Sequence, residues 1–441
     1  MRGSRGVLPF LKLSLVMGVA LSVLGCDNGA PKRGDVNYGV GSVNLDDVVS
    51  YRSDSPYRDV LKRCVTVQFT YQSCTLETLP LLGQLSSDPT IDEIMDRVVV
   101  SHQWMGDNFL LALGSLPADM RLLLRSVTAI VIDADIQPAF YDPTSGAIYL
   151  DPSLLWLTVA QKQTLPARAD FRDDYGRDLQ FVDLWRYVKQ NDYAWPYFDL
   201  ADERERTLAD IRLAFARLLY HELAHANDFV PVDQIALLDA SHTIYQAISA
   251  IHSQRGSSRL IQNLPLYSTA LTQIAQVRFA GQTATDTQRG YTPGYIGTLF
   301  QYDGANMLYS YTSQYEDFAL LFEETIMKYH FGVELDVAFS YNLRGDQLRC
   351  DDYLVAWGQR NRIATAWVKP RAQWVAAQLL PSIDWGTFFS LDVGSTIQMG
   401  NGGWCENLVQ GTASTASTRM RRALDADGEV LMPQQDLRPP H

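Results

Sequence analysis

The spacing of apolar residues predicts two amphipathic helices in the middle of the chain, over residues 203–228 and 315–329. The apolar positions that mark one face of the first helix are Leu208, Ile211, Phe215, Leu218 and Leu219. Further helices are predicted over residues 234–252 and 265–279, with a Gly/Thr-rich connection over residues 281–304. Helices therefore dominate the predicted secondary structure.

The pattern changes over residues 127–150, VTAIVIDADIQPAFYDPTSGAIYL. The β-branched run AIVID and the short run AIYLD read as two strands, and the stretch PAFYDPTSG between them is rich in turn-forming residues. Together with the helices, these strands predict an α+β fold, predominantly helical, with a small β-sheet packed on the helix at 203–228.

Composition and charge limit the classes of function. The 441 residues are 46% hydrophobic and 20% charged, which is ordinary for one large globular domain or two smaller ones. A formal net charge of −13 and the absence of a dense Lys/Arg run in the body of the chain argue against nucleic acid as a partner, because a polyanion would be repelled.

The N-terminus has the pattern of an exported lipoprotein. Residues 1–25 combine Arg2 and Arg5 with an apolar run too short to span a bilayer, and the run ends in VLGC at Cys26. We expect a signal peptide over 1–25, lipidation of Cys26, and a flexible tether over 26–45 that holds the protein to a membrane of the bacterial cell envelope, facing the periplasm or the exterior. The alternative is an ordinary secretory signal with a chance cysteine.

The body of the chain is then predicted to be one domain over residues 46–410. After residue 410 the composition loses its aromatic residues, so residues 411–441 are expected to form a disordered tail. Within the domain, four cysteines in an exported chain predict disulfides. Proximity favours Cys64 with Cys74 and Cys350 with Cys405, one of three possible pairings. A four-cysteine zinc site is the weaker alternative, because no CxxC spacing is present.

The most specific chemical signal is HELAH, residues 221–225, within the helix at 203–228. His221 and His225 lie one helical turn apart on one face, so both imidazoles can reach one Zn²⁺ ion. Glu222 points beside the metal, where it can take a proton from zinc-bound water. The alternative is a pair of solvent-facing histidines on an amphipathic helix. The hydrophobic residues around the motif favour the metal site, since buried histidines need partners.

Two histidines and a water leave zinc one ligand short. Position 231, where a metzincin would carry a third histidine, is Pro231, which excludes that class. Asp228 is on the same helix and is expected to accept a hydrogen bond from a histidine N–H. Glu316, on the helix at 315–329, is the better third ligand. Alternatively Glu316, Glu323 and their acidic neighbours merely form a solvated face.

Two elements resemble a known group. HELAHAND is similar to the HExAHxxD motif of Mlc titration factor–type peptidases, and residues 309–319 are similar to their Y-x-x-T-x-x-x-E-x-F-A element and to the catalytic domain of anthrax lethal factor. Both belong to the gluzincin zinc metallopeptidases. The resemblance implies a zincin-like fold with Glu316 as third ligand, Tyr309 as the hydroxyl that stabilises the oxyanion, and Glu323 near the site, with Tyr311 as the rival hydroxyl.

The resemblance covers only about residues 207–330. The sequence departs from the lethal factor pattern at Leu320, where another glutamate is expected, and at Asp317, where an aromatic is usual. The similarity also implies that a peptide substrate pairs with an exposed strand, for which residues 147–151 are the candidate; the alternative is that they form a core strand.

These observations predict a zinc metallopeptidase with one Zn²⁺ per chain that acts on peptides or proteins. The alternative function is a surface lipoprotein that binds a partner and keeps zinc only for stability. The sequence does not indicate the oligomeric state.

Overall fold

The computed structural model describes residues 43–166, 172–198, 202–345, 348–409 and 431–440. The expected signal peptide, Cys26 and the tether as far as residue 42 lie outside these ranges. So do residue 410 and, from the expected tail, residues 411–430 and 441. Among the described helices, none is both long enough and apolar enough to cross a membrane.

The described chain is a mixture of helix and sheet, consistent with the expected α+β class. Its α-helices are α1 (Arg58–Val65), α2 (Leu82–Leu85), α3 (Ile91–Met95), α4 (Gln103–Gly114), α5 (Met120–Leu123), α6 (Val159–Lys162), α7 (Leu208–Phe229), α8 (Ile244–Ala250), α9 (Gly256–Asn263), α10 (Thr269–Phe279), α11 (Asp286–Arg289), α12 (Pro293–Gln301), α13 (Gln314–Phe331), α14 (Lys369–Leu379) and α15 (Trp385–Thr387).

The strands are β1 (Val49–Ser50), β2 (Val98–Val100), β3 (Ile130–Ile132), β4 (Phe140–Asp142), β5 (Ala147–Leu150), β6 (Phe181–Lys189), β7 (Asp192–Tyr193), β8 (Glu334–Tyr341), β9 (Val355–Arg360) and β10 (Ile397–Gln398). They form two five-stranded sheets, with the orders β1-β2-β3-β5-β4 and β10-β9-β8-β6-β7. We expected one small sheet, so the second sheet is an addition. Its long strands β6 and β8 come from segments about 150 residues apart.

The first sheet is parallel over β2, β3 and β5, with the antiparallel strands β1 and β4 at its edges. Alternate residues of its strands face opposite sides. Ile130 and Ile132 join the main core with α7, whereas Val131 joins a smaller core with α1. The proposal of residues 147–151 as an exposed strand is therefore wrong for Ala147–Leu150, because β5 pairs with β3 and β4. Strand β4 is the edge on that side.

Helix α7 is specified by local chemistry at both ends. The Thr207 side chain accepts a hydrogen bond from the backbone N–H of Asp210, and Asp210 bonds back to Thr207, which forms a capping box. The helix ends at Phe229, and Pro231 follows two residues later, where its ring is incompatible with a continuing helix. From Phe215 to Phe229 every residue of α7 is buried, including the three polar residues of the HELAH motif.

Helix α13 packs against α7. Ser313 caps its first turn by accepting the N–H of Glu316, and Gly332, with φ of 61°, terminates it in the left-handed conformation that glycine adopts without strain. The pairing of residues shows that the helices are antiparallel: Glu316 lies against His225 and His221, whereas Glu323, two turns later, lies against His221 and Arg217.

The remaining differences from the expectations concern connections. Residues 281–304 were expected to be a connection but contain the helices α11 and α12. Residues 411–441 were expected to be disordered, but residues 431–440 pack on the second sheet: Met432 joins the core that contains Trp404, and Asp436 is buried. The disulfides are Cys64–Cys74 and Cys350–Cys405, the two pairs that proximity favoured.

Candidate metal centre

The HELAH residues lie on the buried side of α7. The rings of His221 and His225 are perpendicular to each other, and their Nε2 atoms are 3.0 Å apart. The His221 side chain is 1% exposed and the His225 side chain 11% exposed. The two histidines are therefore not solvent-facing residues of an amphipathic surface, and they converge on a common point.

Glu316 of α13 reaches the same point. Its Oε2 lies 3.2 Å from His221 Nε2, and its Oε1 lies 3.6 Å from His225 Nε2. The Glu316 side chain is 21% exposed, the most open of the three, so the centre opens to solvent on the side of His225 and Glu316. Residue 316 thus does not belong to a solvated face. It joins the two histidines in one group of donors that could hold a metal ion.

The spacing of the three donors fits a metal ion. Around a tetrahedral ion with bonds of about 2.0–2.1 Å, donor atoms are separated by about 3.3–3.4 Å. The observed separations of 3.0, 3.2 and 3.6 Å bracket that value. Three donors also leave a fourth position for water or substrate, which is the arrangement of catalytic rather than structural sites.

His221 is held from behind by Glu323. The Oε2 of Glu323 lies 3.1 Å from His221 Nδ1, so the carboxylate can accept that N–H while Nε2 faces the metal position. Glu323 also accepts from the hydroxyl of Tyr187 at 2.9 Å and lies 3.4 Å from Arg217 Nη1. Each of these partners is buried. The ligand is thus oriented by a charged network and not by Glu323 alone.

Asp228 does not have the role we expected. Its Oδ1 accepts the backbone N–H of Ser257 at 2.7 Å, and within the described part of the chain it makes no hydrogen bond to either histidine. The reason is geometric: α9 begins beside Asp228 and supplies a donor. The acceptor for the histidine comes from the facing helix α13 instead.

Charge in this buried site shifts the acid–base behaviour of its residues. Burial alone would lower the pKa of His221, but Glu316 and Glu323 outweigh that effect and raise it to about 9. Burial would raise the pKa of Glu316, and the two histidines reverse this and hold it far below its usual range. The donors therefore form a strongly coupled group in which the carboxylate stays ionised.

Glu222 has the opposite behaviour. Burial raises its pKa to about 7, although His221 and His225 counteract part of the shift. Its Oε2 has no hydrogen-bond partner among the described residues. A buried carboxylate with a free oxygen and a pKa near neutrality can exchange a proton with a molecule that enters the site.

The two candidate tyrosines are in different surroundings. Tyr309 interacts electrostatically with Glu316 and Glu222 and is hydrogen-bonded to Arg172. Burial and the two carboxylates raise its pKa, so the phenol keeps its proton and can donate it. The charged neighbours of Tyr311 are Asp303, Arg362 and Asp317. The structure thus brings Tyr309, and not Tyr311, to the metal centre.

Both departures from the lethal factor pattern have a structural explanation. Asp317 is buried and forms an ion pair with Arg371 of α14, so it faces away from the histidines. Leu320 is buried in the main core, and the carboxylate that contacts His221 comes from Glu323, three residues further along α13. The position differs, but a second carboxylate is present.

Sequence reasoning missed Arg217, Tyr187 and Arg172. Arg217 had a usable signal, because it is a cation one turn before His221 in an otherwise apolar run, and such a residue requires a buried partner. Tyr187 and Arg172 had none, since they reach the site from distant segments.

The other described histidines have separate partners, as expected for residues that are not ligands: Ser101 for His102, Asp239 for His242, Ser249 for His252 and Asp119 for His330.

Comparisons of the chain with protein-family models, with curated proteins and with solved structures found no match.

Proposed function

We propose that this protein is a zinc-dependent peptidase with a zincin-like domain. The observation that carries the proposal is the approach of the Glu316 carboxylate to within 3.2 and 3.6 Å of the paired imidazoles, from a separate helix. A structural or accidental histidine pair does not require a third donor, an open fourth position and an adjacent carboxylate that can exchange a proton.

Zinc is the metal that suits this donor set. Two imidazoles and one carboxylate form a mixed nitrogen and oxygen site of borderline softness, with few enough ligands for tetrahedral geometry. Bound zinc would supply Lewis acidity, polarising the scissile carbonyl and making water easier to deprotonate. His221, His225 and Glu316 would hold the ion, and Glu323 would keep the Nδ1 proton of His221 in place.

The chain's own residues can carry out the proton transfers of peptide hydrolysis. Glu222 takes one proton from the attacking water, whose oxygen forms a bond to the carbonyl carbon. The Tyr309 hydroxyl donates a hydrogen bond to the oxygen on which negative charge develops. As the C–N bond breaks, Glu222 passes its proton to the leaving nitrogen, so the products are an acid and an amine and Glu222 is ionised again.

Export and lipid anchoring are part of the same proposal. The two disulfides are typical of proteins that fold in an oxidising compartment. They support a location outside the cytoplasm, in line with the signal peptide expected over residues 1–25 and the lipidation expected at Cys26. The substrate would then be a peptide or protein of the cell envelope or its surroundings.

The decisive experiment separates metal binding from turnover. Glu222→Gln should bind zinc as the unmodified chain does, because Glu222 is not a ligand, yet cleave an unstructured peptide library at least about 10²-fold more slowly. Glu205→Gln is the control, since Glu205 is exposed just before α7. Cleavage should also stop with a chelator and return with added zinc. A Glu222→Gln protein that cleaves at the original rate contradicts the mechanism.

A further inference from the structure

The C-terminal strap, residues 431–440, is held partly through its own backbone. Three of its carbonyl oxygens accept hydrogen bonds from buried side chains: Leu437 O from Arg278 Nη2 at 2.6 Å, Arg438 O from Trp185 Nε1 at 2.7 Å, and Pro440 O from Arg217 Nη2 at 3.0 Å. The three donors come from α10, β6 and α7. Recognition of backbone carbonyls does not depend on which side chains the bound segment carries.

These three side chains form a donor wall that offers hydrogens and no acceptors, although Asp151 and Ser153 also line the adjoining cleft. Guanidinium and indole groups can only donate, so the wall itself offers no partner to the backbone N–H groups of a bound segment. Proline has no backbone N–H to leave unpaired, and it holds the chain extended. The strap matches this requirement, because Pro439 and Pro440 are both buried beside the donor wall.

The wall is also aromatic. The strap borders a cleft of about 210 Å³ whose lining includes Trp185, Trp195 and Tyr197. Grooves lined by aromatic rings bind extended proline-rich segments, since flat rings pack on the pyrrolidine faces. The cleft leaves room for additional side chains of a ligand.

Two contacts link this groove to the metal centre. Arg217 donates to Pro440 O and also lies 3.4 Å from Glu323, which in turn lies 3.1 Å from His221. Arg172 lines the cleft and is hydrogen-bonded to Tyr309. The groove thus adjoins Tyr309 through Arg172, and it adjoins the Nδ1 side of His221 through Arg217 and Glu323.

We propose that this groove is the peptide-binding groove of the enzyme, that it takes proline-containing peptides, and that residues 431–440, which include a short 3-10 helix at Gln434–Asp436, are its resident occupant. The inference rests on the proposed peptidase function for its catalytic consequence, but not for the binding itself. The strap then acts as an intramolecular competitor of peptide substrates.

The binding test uses the full chain, folded before any cut. A protease recognition sequence inserted within residues 411–430 allows the strap to be severed, and a labelled peptide of residues 431–440, LMPQQDLRPP, is then added. Fluorescence anisotropy should show binding to the cut protein and not to the intact protein. The peptide LMPQQDLRAA should bind about tenfold more weakly, because two prolines that preorganise the chain are lost.

A second test opens the groove by substitution, so it does not require the severed strap to dissociate from the protein. Asp436 anchors the strap by accepting from Tyr193 Oη at 2.6 Å and Trp404 Nε1 at 2.8 Å. Asp436→Ala in the uncut chain should admit the labelled peptide, whereas Gln434→Ala, at an exposed position of the strap, should not. The proposal is overturned if the peptide binds neither the cut protein nor the Asp436→Ala protein. It is also overturned if LMPQQDLRPP and LMPQQDLRAA bind equally.

Catalysis provides a separate readout. Cutting should raise kcat/KM for proline-containing peptides by about 10- to 100-fold, because a tethered competitor acts at millimolar effective concentration. The peptide LMPQQDLRPP should restore the inhibition. Repeating the anisotropy measurement with the cut Glu222→Gln protein distinguishes the two proposals. Peptide binding without any cleavage by the cut, otherwise unmodified chain supports the groove and contradicts the peptidase, whereas cleavage that cutting leaves unchanged contradicts the groove alone.

Discussion

The contact between Glu323 and His221 makes a quantitative prediction for Glu323→Gln. The carboxylate lies 3.1 Å from His221 Nδ1 and fixes which ring nitrogen carries the proton. Gln can still accept a hydrogen bond, but it loses the charge, and a charge-assisted hydrogen bond is roughly twice as strong as a neutral one. Removing an acceptor of this kind typically lowers metal affinity by about 10- to 100-fold, equivalent to about 1.4–2.7 kcal/mol.

Glu324→Gln is a matched control. Glu324 is the next residue of the same helix and is equally buried, but its Oε2 accepts from Asn306 and it contacts neither histidine. Burial raises the pKa of Glu324 to about 8, so at pH 7 it is mostly protonated and Gln replaces one neutral group with another. Its zinc affinity should stay within about twofold of the unmodified chain.

The assay is competition for zinc with a chromogenic chelator at pH 7, together with thermal unfolding of the metal-free proteins. Glu323→Gln also leaves the buried Arg217 without its ionised partner, so the free energy of unfolding of the metal-free protein should fall by about 1–3 kcal/mol. Circular dichroism must show that the variant is folded at the assay temperature. Equal zinc affinity of Glu323→Gln and the unmodified chain, or a larger loss for Glu324→Gln, would refute the orienting role of Glu323.

Two further outcomes test the site and the strap. Tyr309→Phe should lower kcat by about 10²- to 10³-fold with little change in KM, because Tyr309 interacts with Glu316 and Glu222. Tyr311→Phe should leave kcat unchanged. Equal kcat values for the two variants in steady-state kinetics would contradict the role assigned to Tyr309. Burial raises the pKa of Asp436 from 3.8 to about 6. Between about pH 4 and 6 the folded protein therefore keeps a proton on Asp436 that the unfolded chain releases. The contribution of Asp436 to the free energy of unfolding falls by about 3 kcal/mol as the pH rises through this range. Relative to the unmodified chain, Asp436→Asn should therefore gain stability from pH 4 to 7 in denaturant titrations, and parallel pH profiles would contradict the burial of this carboxyl.

The sequence alone was sufficient where interactions are local. The positions of His221, Glu222 and His225 on one helix follow from helical periodicity. The predicted start at residue 203 was wrong, because the Thr207 cap places the first helical residue at Leu208. Proximity along the chain also favoured the disulfide pairs that the structure contains, one of which closes a loop of only 10 residues.

Glu316 was the preferred third ligand because of its place on a second amphipathic helix, and the resemblance to gluzincins strengthened that choice. Periodicity by itself left it in doubt, since a carboxylate at that spacing could equally face solvent. The distance between the Glu316 carboxylate and the two imidazoles decides whether Glu316 is a ligand, and that distance depends on how α7 and α13 pack.

Only the tertiary structure could decide which residues serve each other across segments. The antiparallel packing of α7 and α13 brings Glu323 to His221, while the start of α9 takes Asp228 away from it. The second sheet pairs β6 with β8, and the strap returns to that sheet from the far end of the chain. Hydrophobic periodicity reports which face of an element is buried but not which element covers it, because burial is non-directional and the partner is chosen by packing over the whole fold.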